Sequence, residues 1–240
     1  MPDTSAENLL QQNLKRVQLN IQRCAKAAGR DASEIQLIAV SKTRSLQEVQ
    51  TVAGLGQQAF GENTVQDALT KIPYVTQGTE WHFIGHLQSK KAGKIPGYFQ
   101  WIHSVDSIKL AKKLSAAMLL NNKNAELNCL IQVNVSDEAS KFGLEPGQVK
   151  SFLEQLLSLK LDCLKWRGLM TIGVRADDQQ TRDAFKDLRI LQQSCRDEFS
   201  LPEFDQLSMG MSGDYCIAIE QGATMVRVGT SIFGLRESSD

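Results

Sequence analysis

Eight short apolar runs recur along the chain, with a helical stretch between each successive pair. The runs are 35–40 (IQLIAV), 58–61, 81–85 (WHFIG), 101–105, 126–135, 163–172, 206–210 and 224–229 (TMVRVG). The stretches between them are 45–54, 63–72, 88–94, 107–121, 146–160, 178–199 and 213–221. Several begin with helix-start residues: Ser45, Asn63 and Ser107, and Pro146 in a first turn. Eight such units in 240 residues is the arithmetic of an α/β fold of the (β/α)8 TIM-barrel type. A doubly wound open sheet is the competing arrangement. Residues 6–28 read as a long amphipathic helix (Leu9, Leu10, Leu14, Val17, Ile21, Ala25) closed by Gly29. It precedes the first strand and is an addition to the barrel. No low-complexity linker interrupts the chain, so 1–240 reads as one domain.

Charge and hydropathy exclude several classes. Lys+Arg and Asp+Glu are both 27, a formal net charge of zero, which argues against nucleic acid as the main partner. No window approaches eighteen uncharged apolar residues, so no membrane span is expected. The start, MPDTSAENLLQQNLKR, lacks the basic and apolar regions of a signal peptide, so a cytoplasmic location is expected. The five cysteines (Cys24, Cys129, Cys163, Cys195, Cys216) are far apart and form no CxxC pair. Reduced thiols filling core space are expected. His82 and His86 sit on a strand and its exit loop, so they share no helical face and no metal site is expected.

In a parallel α/β protein the chemistry sits at the carboxyl ends of the strands. Lys42 stands where the first strand ends. It reads as a solvated loop residue, a phosphate anchor, or an amine kept for carbonyl chemistry. The seventh strand runs into MGMSGD at 209–214, the eighth into VGTSIFG at 228–234. Both offer glycines and hydroxyls just before a helix, either as a backbone cradle for an anion or as ordinary helix caps. In TMVRVG, Val226 and Val228 face the helices, so Arg227 points into the barrel. An unpaired guanidinium there is costly, so it needs an internal carboxylate or a ligand.

These segments resemble the pyridoxal phosphate homeostasis protein family. The matching motifs are AVSKT at 39–43, FGEN at 60–63, WHFIGHLQ at 81–88, HSVD at 103–106 and QVNVSDEASKFG at 132–143. GLMTIG at 168–173, LSMGMSGDYCIAI at 207–219 and TMVRVGTSIFG at 224–234 continue the match over almost the whole chain. One departure is Lys90, where the family usually has asparagine. The resemblance implies a barrel similar to the N-terminal domain of alanine racemase, with pyridoxal 5′-phosphate as cofactor. It implies that Lys42 forms the Schiff base and that Arg227 faces the pyridine nitrogen. Ser212, Gly213, Gly229 and Thr230 would then cradle the phosphate. Asn63 and His86 would line the ring pocket, as would Met209 and Met170.

Attack on an aldehyde needs a neutral amine, so Lys42 is expected to lose its proton more easily than a free lysine. Arginine only donates, so it holds the ring nitrogen unprotonated and leaves the ring a weak electron sink. A racemase of this fold appends a second domain and borrows a catalytic tyrosine. This chain ends eleven residues after Gly229, and Tyr74, Tyr98 and Tyr215 include no obvious second base. The leading expectation is a non-catalytic cofactor carrier, monomeric, with apo pyridoxal-phosphate enzymes as candidate recipients. An amino-acid racemase is the alternative. A cofactor-free Schiff-base aldolase is the weaker third.

Overall fold

The computed structural model describes residues 4–122, 124–135, 142–173 and 177–235. The 136–141 part of the QVNVSDEASKFG motif lies outside them. Strands β1 (Gln36–Val40), β2 (Ala59–Glu62), β3 (Glu80–Phe83) and β4 (Trp101–Val105) are followed by β5 (Leu127–Gln132), β6 (Leu164–Met170), β7 (Gln206–Ser208) and β8 (Met225–Val228). All pair in parallel in sequence order, and β1 closes on β8 with Ile38 opposite Arg227. That closing pair excludes the open sheet.

The helices are α1 (Thr4–Ala27), α2 (Leu46–Gly54), α3 (Val65–Leu69), α4 (Ile108–Asn121), α5 (Val149–Ser158), α6 (Asp178–Glu198), α7 (Tyr215–Glu220) and α8 (Thr230–Phe233). Their starts follow local capping chemistry. Ser45 and Glu48 form a reciprocal capping box on α2, and Ser107 caps α4 by accepting from the Leu110 N–H. Thr64, not Asn63, caps α3, which leaves Asn63 free of the helix. The 88–94 stretch is a 3-10 helix over Ser89–Lys94, without a side-chain cap and with Gly93 inside it. So short and uncapped a segment takes the tighter winding. Lys90 lies there, exposed.

The main core lies between strands and helices. A smaller apolar cluster of Ile38, Ala59, Leu130, Met170 and Met225 fills the barrel interior. Helix α1 lies outside the barrel against α2, α7 and α8. It buries Leu10, Leu14, Val17, Ile21 and Ala25, whereas Leu9 stays 57% exposed. Asn13 ties α1 to α8 by donating to the Ile232 carbonyl at 3.1 Å.

The cysteine expectation fails for one pair. Cys24 on α1 and Cys216 on α7 form a disulfide, with Cα atoms 5.4 Å apart. They are 192 residues apart in sequence, and only the packing of α1 onto α7 brings them within bonding reach. Cys129, Cys163 and Cys195 are free and buried, as expected. Among the described residues no helix is long and apolar enough to cross a membrane, and no His, Cys, Asp and Glu cluster suits a metal.

Candidate functional site

The carboxyl ends of the strands surround a cavity of about 320 Å³, the size of a small-molecule site. Seven residues singled out from the sequence line it: Lys42 after β1, Asn63 after β2, Ser212 and Gly213 after β7, and Arg227, Gly229 and Thr230 on β8 and beyond. Val40, Ile84, Ile172 and Met211 complete the wall. These four were not foreseen. Strand parity plus the exit loops of β3, β6 and β7 was the signal that could have found them.

His86 and Met209 do not line the cavity. Ser208 faces the barrel interior, so by alternation its neighbour Met209 turns toward the helices, where it is wholly buried in the main core. Met211, two residues on, reaches the cavity in its place. His86 turns outward, stacking on Phe142 with ring centres 3.7 Å apart and with Nδ1 3.8 Å from Asp106 Oδ2. Met170 is buried lower in the barrel.

The backbone that carries Lys42 is clamped from below. Lys71 Nζ donates to the Ser41 carbonyl at 2.7 Å, to Glu62 Oε1 at 2.8 Å and to Asp67 Oδ1 at 2.8 Å. Ser41 Oγ donates to Glu62 Oε1 at 2.7 Å. On the other side of Lys42, Thr43 adopts φ +63°, and its N–H donates to Asp67 Oδ2 at 2.8 Å. A non-glycine residue at positive φ persists only where its surroundings hold it, and here the Asp67 carboxylate does so. Burial pushes the Glu62 carboxyl up to about 7, while Lys71 and Ser41 pull it back. Burial acts on Asp67 in the same direction, but Lys71 and the Thr43 N–H outweigh it and hold that carboxyl low. Lys71 and Asp67 went unnoticed in the sequence because a lysine on a helical stretch ordinarily faces water.

Arg227 forms the cavity floor and is 5% exposed. Within the chain, its partners are not the expected carboxylate. Nη1 donates to Ser208 Oγ at 2.7 Å and Nη2 to the Thr171 carbonyl at 2.8 Å. Among the described residues no carboxylate forms an ion pair with it. Burial lowers its pKa to about 10, and the charge of Asp214 opposes the shift, so the guanidinium stays cationic at neutral pH.

The two glycine-rich loops meet above it. Gly229 caps α8, and the Ser231 N–H donates to Ser212 Oγ at 3.4 Å. A Cβ on Gly229 would lie 3.2 Å from the Val40 carbonyl oxygen, a tight approach where β8 passes the end of β1. Gly210, at φ +91°, turns the β7 exit loop against α7, and a Cβ there would meet the Ala218 Cβ at 2.5 Å.

Residues 12–237 match the family model of the alanine racemase N-terminal domain. The pyridoxal phosphate homeostasis protein of Vibrio cholerae is 42% identical over 236 residues, covering 96% of this chain and 98% of that one. The chain belongs to the pyridoxal phosphate homeostasis protein family. Within the family's reach lies PipY of Synechococcus elongatus PCC7942, solved with PLP bound. PipY is 34% identical, with a TM-score of 0.78 over 89% of this chain and 99% of that chain. Alanine racemase of Corynebacterium glutamicum, 16% identical, shares the fold at a TM-score of 0.68 over 94% of this chain and 62% of its own.

Proposed function

We propose that this chain holds pyridoxal 5′-phosphate in the strand-end cavity as a lysine Schiff base and serves its homeostasis without turning over a substrate. The names of the family relatives and the cofactor bound in PipY support the ligand. The donor set supports its fit. Lys42 is the amine on the wall, Arg227 would donate to the ring nitrogen, and the Ser212 and Thr230 hydroxyls with the 229–231 backbone would hold the anionic group. When bound, the cofactor supplies an aldehyde that condenses with a neutral amine and releases water. Clamped on both sides, Lys42 presents that amine from a fixed backbone. All the groups named for the ligand lie on one chain, which supports a monomeric site.

The observation that carries the non-catalytic half is the cavity wall itself. Among the described residues it offers one amine and one guanidinium, and no carboxylate, imidazole, thiol or phenol. Inverting an amino acid needs a proton acceptor on one face of the reacting carbon and a donor on the other. Tyr215, the nearest tyrosine in sequence, turns its hydroxyl to α1, where it accepts from Asn20 Nδ2 at 2.7 Å. Tyr74 and Tyr98 are exposed and line no part of the cavity. Arg227, a pure donor, would leave the ring nitrogen of a bound cofactor without a proton and so weaken the electron sink that transamination and decarboxylation need.

The test is spectroscopic. Full-length protein loaded with the cofactor shows a visible band that borohydride abolishes as it reduces the imine and fixes the cofactor to the chain. Lys42→Ala abolishes the fixation and leaves the melting temperature within a few degrees. Fixation surviving in Lys42→Ala overturns the lysine assignment. Racemisation by the loaded wild type at a rate a cell could use overturns the non-catalytic reading. Loaded protein mixed with an apo pyridoxal-phosphate enzyme restores that enzyme's activity if the chain is a donor.

A further inference from the structure

Beneath the cavity the barrel interior is polar along one line. Arg227 Nη1 lies 2.7 Å from Ser208 Oγ, and Ser208 Oγ lies 2.9 Å from His103 Nδ1. His103 Nε2 lies 2.9 Å from His82 Nδ1, and His82 Nε2 lies 3.1 Å from Glu80 Oε2. Ser208, His103 and His82 are wholly buried. Glu80 stands at the opposite mouth of the barrel, where a second cavity of about 260 Å³ opens beside Gln36 and Trp101. The line therefore spans the barrel from one end to the other.

Its two ends fix its direction. Arginine only donates, and an ionised carboxylate only accepts. Glu80 is ionised, its pKa held at about 2: burial opposes this, but His82, Trp101 and Gln36 outweigh burial. Trp101 Nε1 and Gln36 Nε2 each donate to it at 2.7 Å. A neutral imidazole has one donor and one acceptor nitrogen. Only one assignment then gives every bond a single proton. Arg227 donates to Ser208, Ser208 to His103 Nδ1, His103 Nε2–H to His82 Nδ1, and His82 Nε2–H to Glu80. A second proton on His82 would reverse the chain, with His103 Nδ1–H donating to the second lone pair of Ser208, so the direction requires both imidazoles to be neutral. Burial, with the charge of Arg227 adding to it, holds His103 well below the usual imidazole range, and burial lowers His82 despite Glu80.

We propose that Ser208, His103 and His82 are positioning residues for Arg227, orienting its guanidinium at the cavity floor through one unidirectional chain of hydrogen bonds anchored on Glu80. The contacts of the chain stand on geometry, and its direction on both imidazoles being neutral. Its purpose rests on the cofactor reading of the cavity given above. A guanidinium with no carboxylate in contact has its direction set by the acceptors it finds, and donation of the Ser208 proton to His103 fixes the hydroxyl so that a lone pair faces Arg227.

The experiment has two arms. The first is imidazole nitrogen NMR of the full-length protein without cofactor. The chain has three histidines, so single substitutions assign them. His82 and His103 appear as neutral Nε2–H tautomers at neutral pH, with exposed His86 as reference. A cationic or Nδ1–H form of either buried histidine overturns the chain. The second arm is Ser208→Ala, which removes the proton His103 Nδ1 accepts. The His103 Nδ1 resonance shifts, His86 does not, and the cofactor dissociation constant rises about tenfold. Unchanged cofactor affinity in Ser208→Ala overturns the positioning role. A wild type that binds no cofactor removes the reading of the cavity, and the cofactor-free spectra still decide the chain.

Discussion

The Lys71 ammonium donates to the Ser41 carbonyl oxygen at 2.7 Å, so a fully buried lysine fixes the backbone directly before Lys42. The same ammonium neutralises Glu62, which is wholly buried. Removing one partner of such a pair leaves an uncompensated charge, which costs far more than an exposed ion pair is worth. Lys71→Met is expected to lower the unfolding free energy by about 3–5 kcal/mol, read by urea denaturation. A loss within the range of a surface substitution would refute the clamp.

Glu62 also sets a pH slope. Its carboxyl ionises near 4.5 when unfolded and at about 7 in the fold. A raised acid favours the folded state while protonated. Its contribution is therefore complete below about 4.5 and declines as pH rises toward 7. Glu62→Gln is expected to flatten the stability profile across that window in denaturation series at constant salt. An unaltered profile would place the titration elsewhere.

Arg227→Ala strips the donor from Ser208 Oγ and from the Thr171 carbonyl. The buried acceptors left behind cost about 1–3 kcal/mol. Cofactor affinity is expected to fall at least tenfold by equilibrium dialysis. Arg227→Lys does not restore it, because one ammonium cannot reproduce a planar two-pronged donor. Full affinity in Arg227→Ala would remove this residue from the site.

The Cys24–Cys216 bridge ties α1 to α7, the helix that follows the Ser212–Gly213 loop. Protein purified without reductant and then denatured is expected to titrate three thiols, those of Cys129, Cys163 and Cys195. Reduction lowers stability by about 2–4 kcal/mol. Five reactive thiols before reduction would show the pair unbonded.

Much of this was legible in the residues. Alternation along TMVRVG put Arg227 inside the barrel, and the structure agrees, because a strand's two faces are fixed by its geometry. Ser45 and Ser107 announced their helices because capping acts over three residues. Met209 misled because its motif lies where a strand gives way to a loop, and alternation there buried Met209 and exposed Met211. His86 misled because nothing in its own segment reveals Phe142, which stacks on it from 56 residues away.

The sequence by itself determined eight alternating strand and helix units, the extra first helix, and the amine and glycine-rich loops at one end of the strands. These follow from periodicity and turn chemistry, which act between near neighbours. Closure of β1 on β8 decided for the barrel over the open sheet. Tertiary structure decided what Arg227 donates to, which lysine is buried and which is presented, and that Cys24 meets Cys216. Each of these depends on closing β1 against β8 and laying α1 on α7. Contacts of that kind join residues far apart in the chain, and no local pattern records them.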